Sequence, residues 1–320
     1  EALCALIADL TRRGAAVLYI TRRMSEIFRI AARVTVLRDG RHVATSAIDE
    51  VTPDSLIACM VGREPGAVFD GPDTVAPPAD RPVLELRGLS RRGAFRNIHL
   101  TLRRGEILGI AGLMGAGRTA LAEAVSGLWP ADSGEILLDG RAARIRNPAE
   151  AMAHGIALVA EDRKRSGLVP QMTVTHNLTL ASLGRFARGP WIRQREEARA
   201  AAGLMEALAI RARDRFQSVT RLSGGNQQKI AIGKALLTEP AVLILDEPAR
   251  GIDVGAKAEI YALIRRLAGQ GKAILLISSE LPELLALSHR ILVMREGSLA
   301  GEFAGRAAAP EEILKCAMPA

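Results

Sequence analysis

From Val83 to the end of the chain, short apolar runs alternate with amphipathic stretches. Ile107-Leu108-Gly109-Ile110-Ala111, Ala241-Val242-Leu243-Ile244-Leu245 and Ala273 to Ile277 are short and carry no polar alternation. They predict strands buried on both faces. Glu259 to Leu267 sets Ile260, Leu263, Ile264 and Leu267 on one side of a 3.6-residue period, which predicts a helix lying on that sheet. Buried strands separated by helices predict an α/β fold with a mainly parallel sheet flanked by helices.

The pattern also repeats. Ala16-Val17-Leu18-Tyr19-Ile20-Thr21 reads like Ala273-Ile274-Leu275-Leu276-Ile277-Ser278, an offset of 257 residues. The same offset pairs Gly14 with Gly271, Glu26 with Glu283, Arg33 with Arg290, Gly40 with Gly297, Pro53 with Pro310 and Cys59 with Cys316. Residues 1–62 are therefore expected to be the tail of a module whose complete copy occupies 83–320. Residues 63–82, rich in Gly, Pro and Asp, have the composition of a linker. The chain opens at Glu1 inside a helix-like pattern, so an upstream part is expected.

Composition narrows the class. Of 320 residues, 48% are apolar and 24% charged, enough to bury a core. Aromatic residues make up only 3%, too few for a platform that stacks single-stranded nucleic acid. No run approaches the roughly 18 apolar residues of a membrane span. Cys4, Cys59 and Cys316 are far apart, fit neither a disulfide framework nor a metal site, and point to a reducing compartment. The net charge of +8 is dispersed, its longest basic run being Arg163-Lys164-Arg165, so no nucleic-acid partner is expected.

Chemistry is concentrated in three segments. Gly112-Leu113-Met114-Gly115-Ala116-Gly117-Arg118-Thr119 joins a predicted strand to a predicted helix with the spacing GxxxxGK[ST], arginine standing for lysine. Glycines let successive N–H groups turn inward, and the helix start behind them favours an anion. The Thr119 hydroxyl is a magnesium ligand of the right kind. Val242 to Leu245 ends in Asp246-Glu247, where one carboxylate can hold magnesium and the other can orient or deprotonate water. Leu222-Ser223-Gly224-Gly225-Asn226-Gln227-Gln228-Lys229 opens an apolar-striped helix; read alone, it is an N-capped helix start.

Together these motifs resemble the ATP-binding cassette ATPases. Leu222 to Lys229 is similar to their signature motif, Leu243 to Pro248 to their Walker B segment, and Gly251-Ile252-Asp253 to the D-loop. With Ala160-Glu161-Asp162-Arg163-Lys164-Arg165 and Gly251 to Lys257, the chain resembles the second half of tandem-cassette ATPases of ribose-, galactose- and xylose-type sugar importers. The resemblance implies a P-loop NTPase fold with a helical subdomain and an antiparallel β subdomain. It implies ATP and Mg2+ as cofactors, with Gly112 to Thr119, Glu161 and Asp246 on the nucleotide and Thr119 and Asp246 on the metal. Glu247 would be catalytic. Ser223, Gly224, Gly225 and Gln227 would reach a nucleotide on a second cassette, and Asp253 would connect the two sites. Partners would be polytopic permease subunits and, indirectly, a periplasmic or extracellular sugar-binding protein. The chain would then be peripheral on the cytoplasmic face of the membrane.

Three positions depart from the family pattern: Arg118 for lysine, Glu161 for the Q-loop glutamine, and Ser279 at the switch histidine. In the repeat register Arg22 takes the first copy's switch position. These imply a second-cassette site that binds nucleotide but turns it over slowly or not at all. Two other readings stay open: a soluble tandem-cassette ATPase acting on ribosomes or DNA, and a nucleotide-binding regulatory module without turnover. Phe95 is the nearest aromatic for stacking on adenine, with a core role as the alternative.

Overall fold

The computed structural model describes residues 2–20, 24–38, 41–52, 55, 56, 59, 81–305 and 308–318. The linker expected at 63–82 lies almost wholly outside the described residues. The chain divides into two units, Glu1–Gly71 with Asp253–Ala258, and Pro72–Ile252 with Glu259–Ala320.

In the first unit, helices α1 (Ala2–Arg12) and α2 (Met24–Ile30) precede the hairpin β1 (Arg33–Arg38) and β2 (Arg41–Ala47). Arg33 pairs with Ala47 and the register shifts between Val36 and Leu37.

The second unit opens with β3 (Pro82–Arg91) and β4 (Phe95–Arg103), followed by β5 (Ile107–Gly112) and helix α3 (Arg118–Val125). After β6 (Ser133–Leu138), β7 (Arg141–Ala142), α4 (Pro148–Ala153) and β8 (Ile156–Val159), the chain enters a helical region. There α5 (Val174–Thr179), α6 (Leu183–Phe186), a short pair β9 (Ala187–Arg188) and β10 (Trp191–Ile192), α7 (Gln194–Ala207) and α8 (Gly224–Leu236) follow. The last part is β11 (Val242–Asp246), α9 (Val254–Gly269, counted in this unit from Glu259 on), β12 (Ala273–Ile277), α10 (Leu281–Leu287), β13 (Arg290–Arg295), β14 (Ser298–Ala304) and α11 (Pro310–Ala317).

The main sheet has six strands in the order β14-β13-β5-β12-β11-β8. All neighbours pair in parallel except β13 and β14, which form an antiparallel edge. A separate four-stranded antiparallel sheet runs β4-β3-β6-β7. Every residue of β11 and β12 is buried, as strands covered on both faces require. Leu108, Ile110, Val242, Ile244, Leu275 and Ile277 join Leu121 and Val125 of α3 in one core. Helix α9 buries Ile260, Leu263, Ile264 and Leu267, the stripe read from the sequence. Within β5, Gly109 has little room for a side chain: a Cβ there would lie 2.5 Å from Ser288 Oγ.

The repeat has a structural counterpart. At the offset of 257 residues, α2, β1 and β2 coincide in length and bounds with α10, β13 and β14. The shift between Val36 and Leu37 recurs between Val293 and Met294. One stretch behaves differently. Residues 15–20 form no strand, and Leu18 and Ile20 are 93% and 89% exposed, whereas their counterparts Leu275 and Ile277 are buried in β12. Strand β12 is paired on both edges, by β5 and by β11. An apolar run of this kind becomes a strand through such neighbours rather than by intrinsic preference.

Candidate functional site

Because β5, β12, β11 and β8 run parallel and adjacent, their carboxyl ends lie along one edge of the sheet. β5 delivers Gly112 to Thr119 there, β12 delivers Ser278 and Ser279, β11 delivers Asp246 and Glu247, and β8 leads to Glu161. Ligands of open α/β sheets bind in this kind of crevice.

The loop between β5 and α3 depends on left-handed backbone. Gly112, Gly115 and Gly117 have φ of +151°, +83° and +97°. A Cβ on Gly112 would lie 2.5 Å from Met294 O, and one on Gly117 would lie 2.6 Å from Ala94 O. Gly115 has nothing within 4 Å, as a position facing a ligand requires. Gly117 is the N-cap of α3 and has no side chain to satisfy the first N–H groups of that helix. Those groups and the positive helix end therefore remain available to an anion. Met114 is 94% exposed at the outer turn, while Ala116 packs inward.

Arg118 does not project freely from the loop. Its Nη1 donates to Ser278 O at 2.6 Å and lies 3.7 Å from Glu247 Oε1. Both side chains are largely buried, 11% and 8% exposed. The other carboxylate oxygen, Glu247 Oε2, accepts from Ser279 Oγ at 3.0 Å. Thus two of the three substituted positions, 118 and 279, converge on the one carboxylate expected to act as base. Glu247 itself has φ +50°, a left-handed conformation strained for glutamate, with its N–H bonded to Ile277 O at 2.9 Å. Such strain persists only where the surroundings hold it.

Asp246 is 2% exposed, and its Oδ1 has no hydrogen-bond partner. Burial pushes its carboxyl up to about 6; the Thr119 hydroxyl pulls downward and the Glu247 charge pushes upward. An unpartnered buried carboxylate oxygen beside a threonine hydroxyl fits a magnesium ion. The described residues hold no cluster of three or more His, Cys, Asp or Glu side chains.

Glu161 is ion-paired with Arg250. Two residues on, Arg163 Nη1 donates to Arg250 O at 3.2 Å and its Nε to Gln227 Oε1 at 3.4 Å. Gln227 Nε2 in turn donates to Val219 O and Leu222 O, both at 3.1 Å. Ser223 is the N-cap of α8, exposed, its Oγ accepting from Asn226 Nδ2 at 3.0 Å. Gly224 follows it at the helix start, with Gly225 buried behind. Asp253 Oδ1 caps the start of α9 through Ala256 N at 2.9 Å.

The structure thus joins Arg118, Glu247 and Ser279 in one contact set and Thr119 to Asp246 in another. Glu161 and Gln227 are linked through Arg163 and Arg250. Arg22 lies outside the described residues. Phe95 is 3% exposed within the core, so stacking on adenine is excluded for it and its role is packing. Sequence reasoning quoted Arg163 within Ala160 to Arg165 without giving it a role, and missed Arg250 and the Ser278 carbonyl. A charge between two quoted motifs was the only signal for Arg250, and a backbone carbonyl leaves none.

A glycine-rich strand-to-helix loop facing two buried carboxylates on the edge of a parallel sheet defines a P-loop nucleotide-binding cassette. Residues 95–250 match the family model of the ABC transporter domain. The chain is 50% identical, over 99% of its length, to a ribose import ATP-binding protein, RbsA 2, of Rubrobacter xylanophilus. It is 46% identical, over 98% of its length, to a xylose import ATP-binding protein, XylG, of Burkholderia cenocepacia. It spans 60% and 61% of the length of those relatives. Among solved structures, a nucleotide-free ATP-binding cassette from an ABC transporter aligns with TM-score 0.63 at 24% identity, over 73% of this chain and 94% of its own. A dimeric cassette in a post-hydrolysis state with ADP and Pi aligns with TM-score 0.61 at 22% identity, over 70% and 100%. Residues 95–250 therefore form a domain of the ATP-binding cassette family of the ABC transporters.

Proposed function

We propose that this chain is part of an ATP-binding subunit that energises import of a monosaccharide through a separate membrane permease. One observation carries the substrate class: nearly the whole chain aligns at about half identity with relatives named for ribose and xylose import. Residues 1–62 are read as the end of a first cassette, supported by the shared register and bulge of the two hairpins. Residues 83–320 are the second cassette. No helix among the described residues is long and apolar enough to cross a membrane, so force on a sugar path would pass through permease subunits. A sugar-binding protein on the far side would deliver the sugar. On this reading the chain sits at the cytoplasmic face of the membrane.

At the second cassette's site, backbone N–H groups of Gly112 to Thr119 and the start of α3 would hold the phosphates of ATP. Thr119 and Asp246 would hold Mg2+, which neutralises phosphate charge when bound. Ser223, Gly224 and Gly225 would face a nucleotide on the opposing cassette. Glu247 has the chemistry of a general base, but both of its oxygens are engaged by Arg118 and Ser279. That engagement favours slow or absent hydrolysis at this site, the opposite composite site being the one that cycles.

The test is reconstitution of the full-length protein with its permease in liposomes. ATP hydrolysis stimulated by a monosaccharide and its binding protein, with sugar accumulating inside, is the expected result. ATPase activity indifferent to any sugar, or responsive to duplex DNA or ribosomes, would overturn it. At the second site, rapid single-turnover phosphate release would refute slow hydrolysis.

A further inference from the structure

Arg118 faces two claims at once. As the cation of the phosphate loop it is the side chain a nucleotide would meet, yet its guanidinium is already committed across the sheet edge. Strand β12 lies between β5 and β11, so a side chain rooted beside β5 reaches Glu247 only by crossing the end of β12. Arg118 does this, with one nitrogen serving both the Ser278 carbonyl at 2.6 Å and the Glu247 carboxylate at 3.7 Å. Ser279 closes the other side of the carboxylate.

We infer that Arg118 and Glu247 form a latch that nucleotide must open. This rests on reading Gly112 to Thr119 as the nucleotide site. Both contacts are made by Nη1 alone, so turning the guanidinium to face a phosphate over the loop swings that nitrogen away from Ser278 O and Glu247 together. Nucleotide and Glu247 therefore compete for one cation. The pair neutralises two buried charges at the exit of β12. When phosphate takes Arg118, Glu247 is left with Ser279 alone, beside Asp246 and the incoming anion. The latch thus lowers nucleotide affinity at this site, and binding energy is spent on separating the pair. The device consists of residues 118, 247 and 279, the last as a positioning residue for the carboxylate.

The experiment is a double-mutant cycle on ADP affinity, measured by calorimetry at fixed magnesium, so that turnover plays no part. Four forms of the chain are compared: unchanged, Glu247→Gln, Arg118→Met, and both together. Glu247→Gln removes a negative charge in either background, and only with Arg118 present does it also release the cation. Binding should tighten about tenfold with Arg118 present, and about twofold or less in the Arg118→Met background. Equal gains in the two backgrounds, or no gain with Arg118, overturn the latch while leaving the nucleotide site intact. Absence of ADP binding to the unchanged chain and to Glu247→Gln at millimolar levels overturns the site reading itself and the latch with it. If binding to the Arg118→Met forms is too weak to measure, thermal unfolding of the four nucleotide-free proteins decides. Non-additive shifts in Tm support the pair, and additive shifts overturn it.

Discussion

Lys229 Nζ lies 2.6 Å from a carboxylate oxygen of Glu259, with the lysine 5% and the glutamate 44% exposed. The same ammonium donates to Ala209 O at 2.9 Å. The last residue of the signature-like segment is thus a buried cation tied to two other parts of its unit. Such a pair is asymmetric under mutation. Glu259→Ala leaves a buried charge short of its counterion and should destabilise the unit by about 1–3 kcal/mol. Lys229→Met fills a similar volume without the charge and should cost less. Urea unfolding of both variants checks the order; Lys229→Met as the more damaging change would show that the ammonium is needed in its own right.

Asp246 gives a pH-dependent prediction for the magnesium-free protein. Its folded-state carboxyl is raised from 3.8 to about 6, so between these values the folded protein binds more protons than the unfolded chain. Stability from this group is therefore full below about 3.8 and is lost as pH rises through 6. Asp246→Asn should stabilise the protein at pH 7.5 by about 1–3 kcal/mol, read as a rise in Tm. The gain should shrink below pH 6 and vanish near pH 4. A gain independent of pH would mean that desolvation is not the cause.

The loop glycines separate folding from binding. Gly117→Ala drives a Cβ to 2.6 Å from Ala94 O at φ +97° and should destabilise by about 3 kcal/mol or more. Gly115→Ala meets no atom within 4 Å, so only backbone strain of about 1 kcal/mol opposes it. Gly115→Ala should therefore fold and lose nucleotide affinity. Calorimetry beside circular dichroism distinguishes the two; a Gly115→Ala variant that binds ADP normally would move the phosphate away from this loop.

Restoring the family's residues tests the substitutions. Arg118→Lys together with Ser279→His should speed single-turnover phosphate release at this site by about tenfold or more. An unchanged rate would shift the cause to Glu161, whose carboxylate is paired with Arg250.

Much of the fold was legible because the strands at Ile107, Val242 and Ala273 are apolar at nearly every position and the stripe of α9 has a clean helical period. The site was legible wherever chemistry sits in a fixed spacing, as in Gly112 to Thr119 and Asp246-Glu247. What the sequence could not reveal is where a flexible side chain turns. The reading that Arg118 supplies charge to the loop was incomplete, since that depends on the Ser278 carbonyl 160 positions away in the chain. Phe95 looked available as an aromatic near the motif, and tertiary packing took it into the core. Val17 to Ile20 match a buried strand almost residue for residue and yet lie open, because pairing is supplied by neighbours and not by the run itself.

The sheet order has a consequence for how this edge can change over time. With β12 wedged between the strands that carry the loop and the acid, any bridge between them is a question of reach before it is one of charge. A shorter cation stops at the intervening strand and leaves the glutamate to Ser279 alone; a longer one spans it. Length at position 118 is thus a dial on which a descendant could set the same scaffold toward gripping or toward turnover, without moving a single element of the fold.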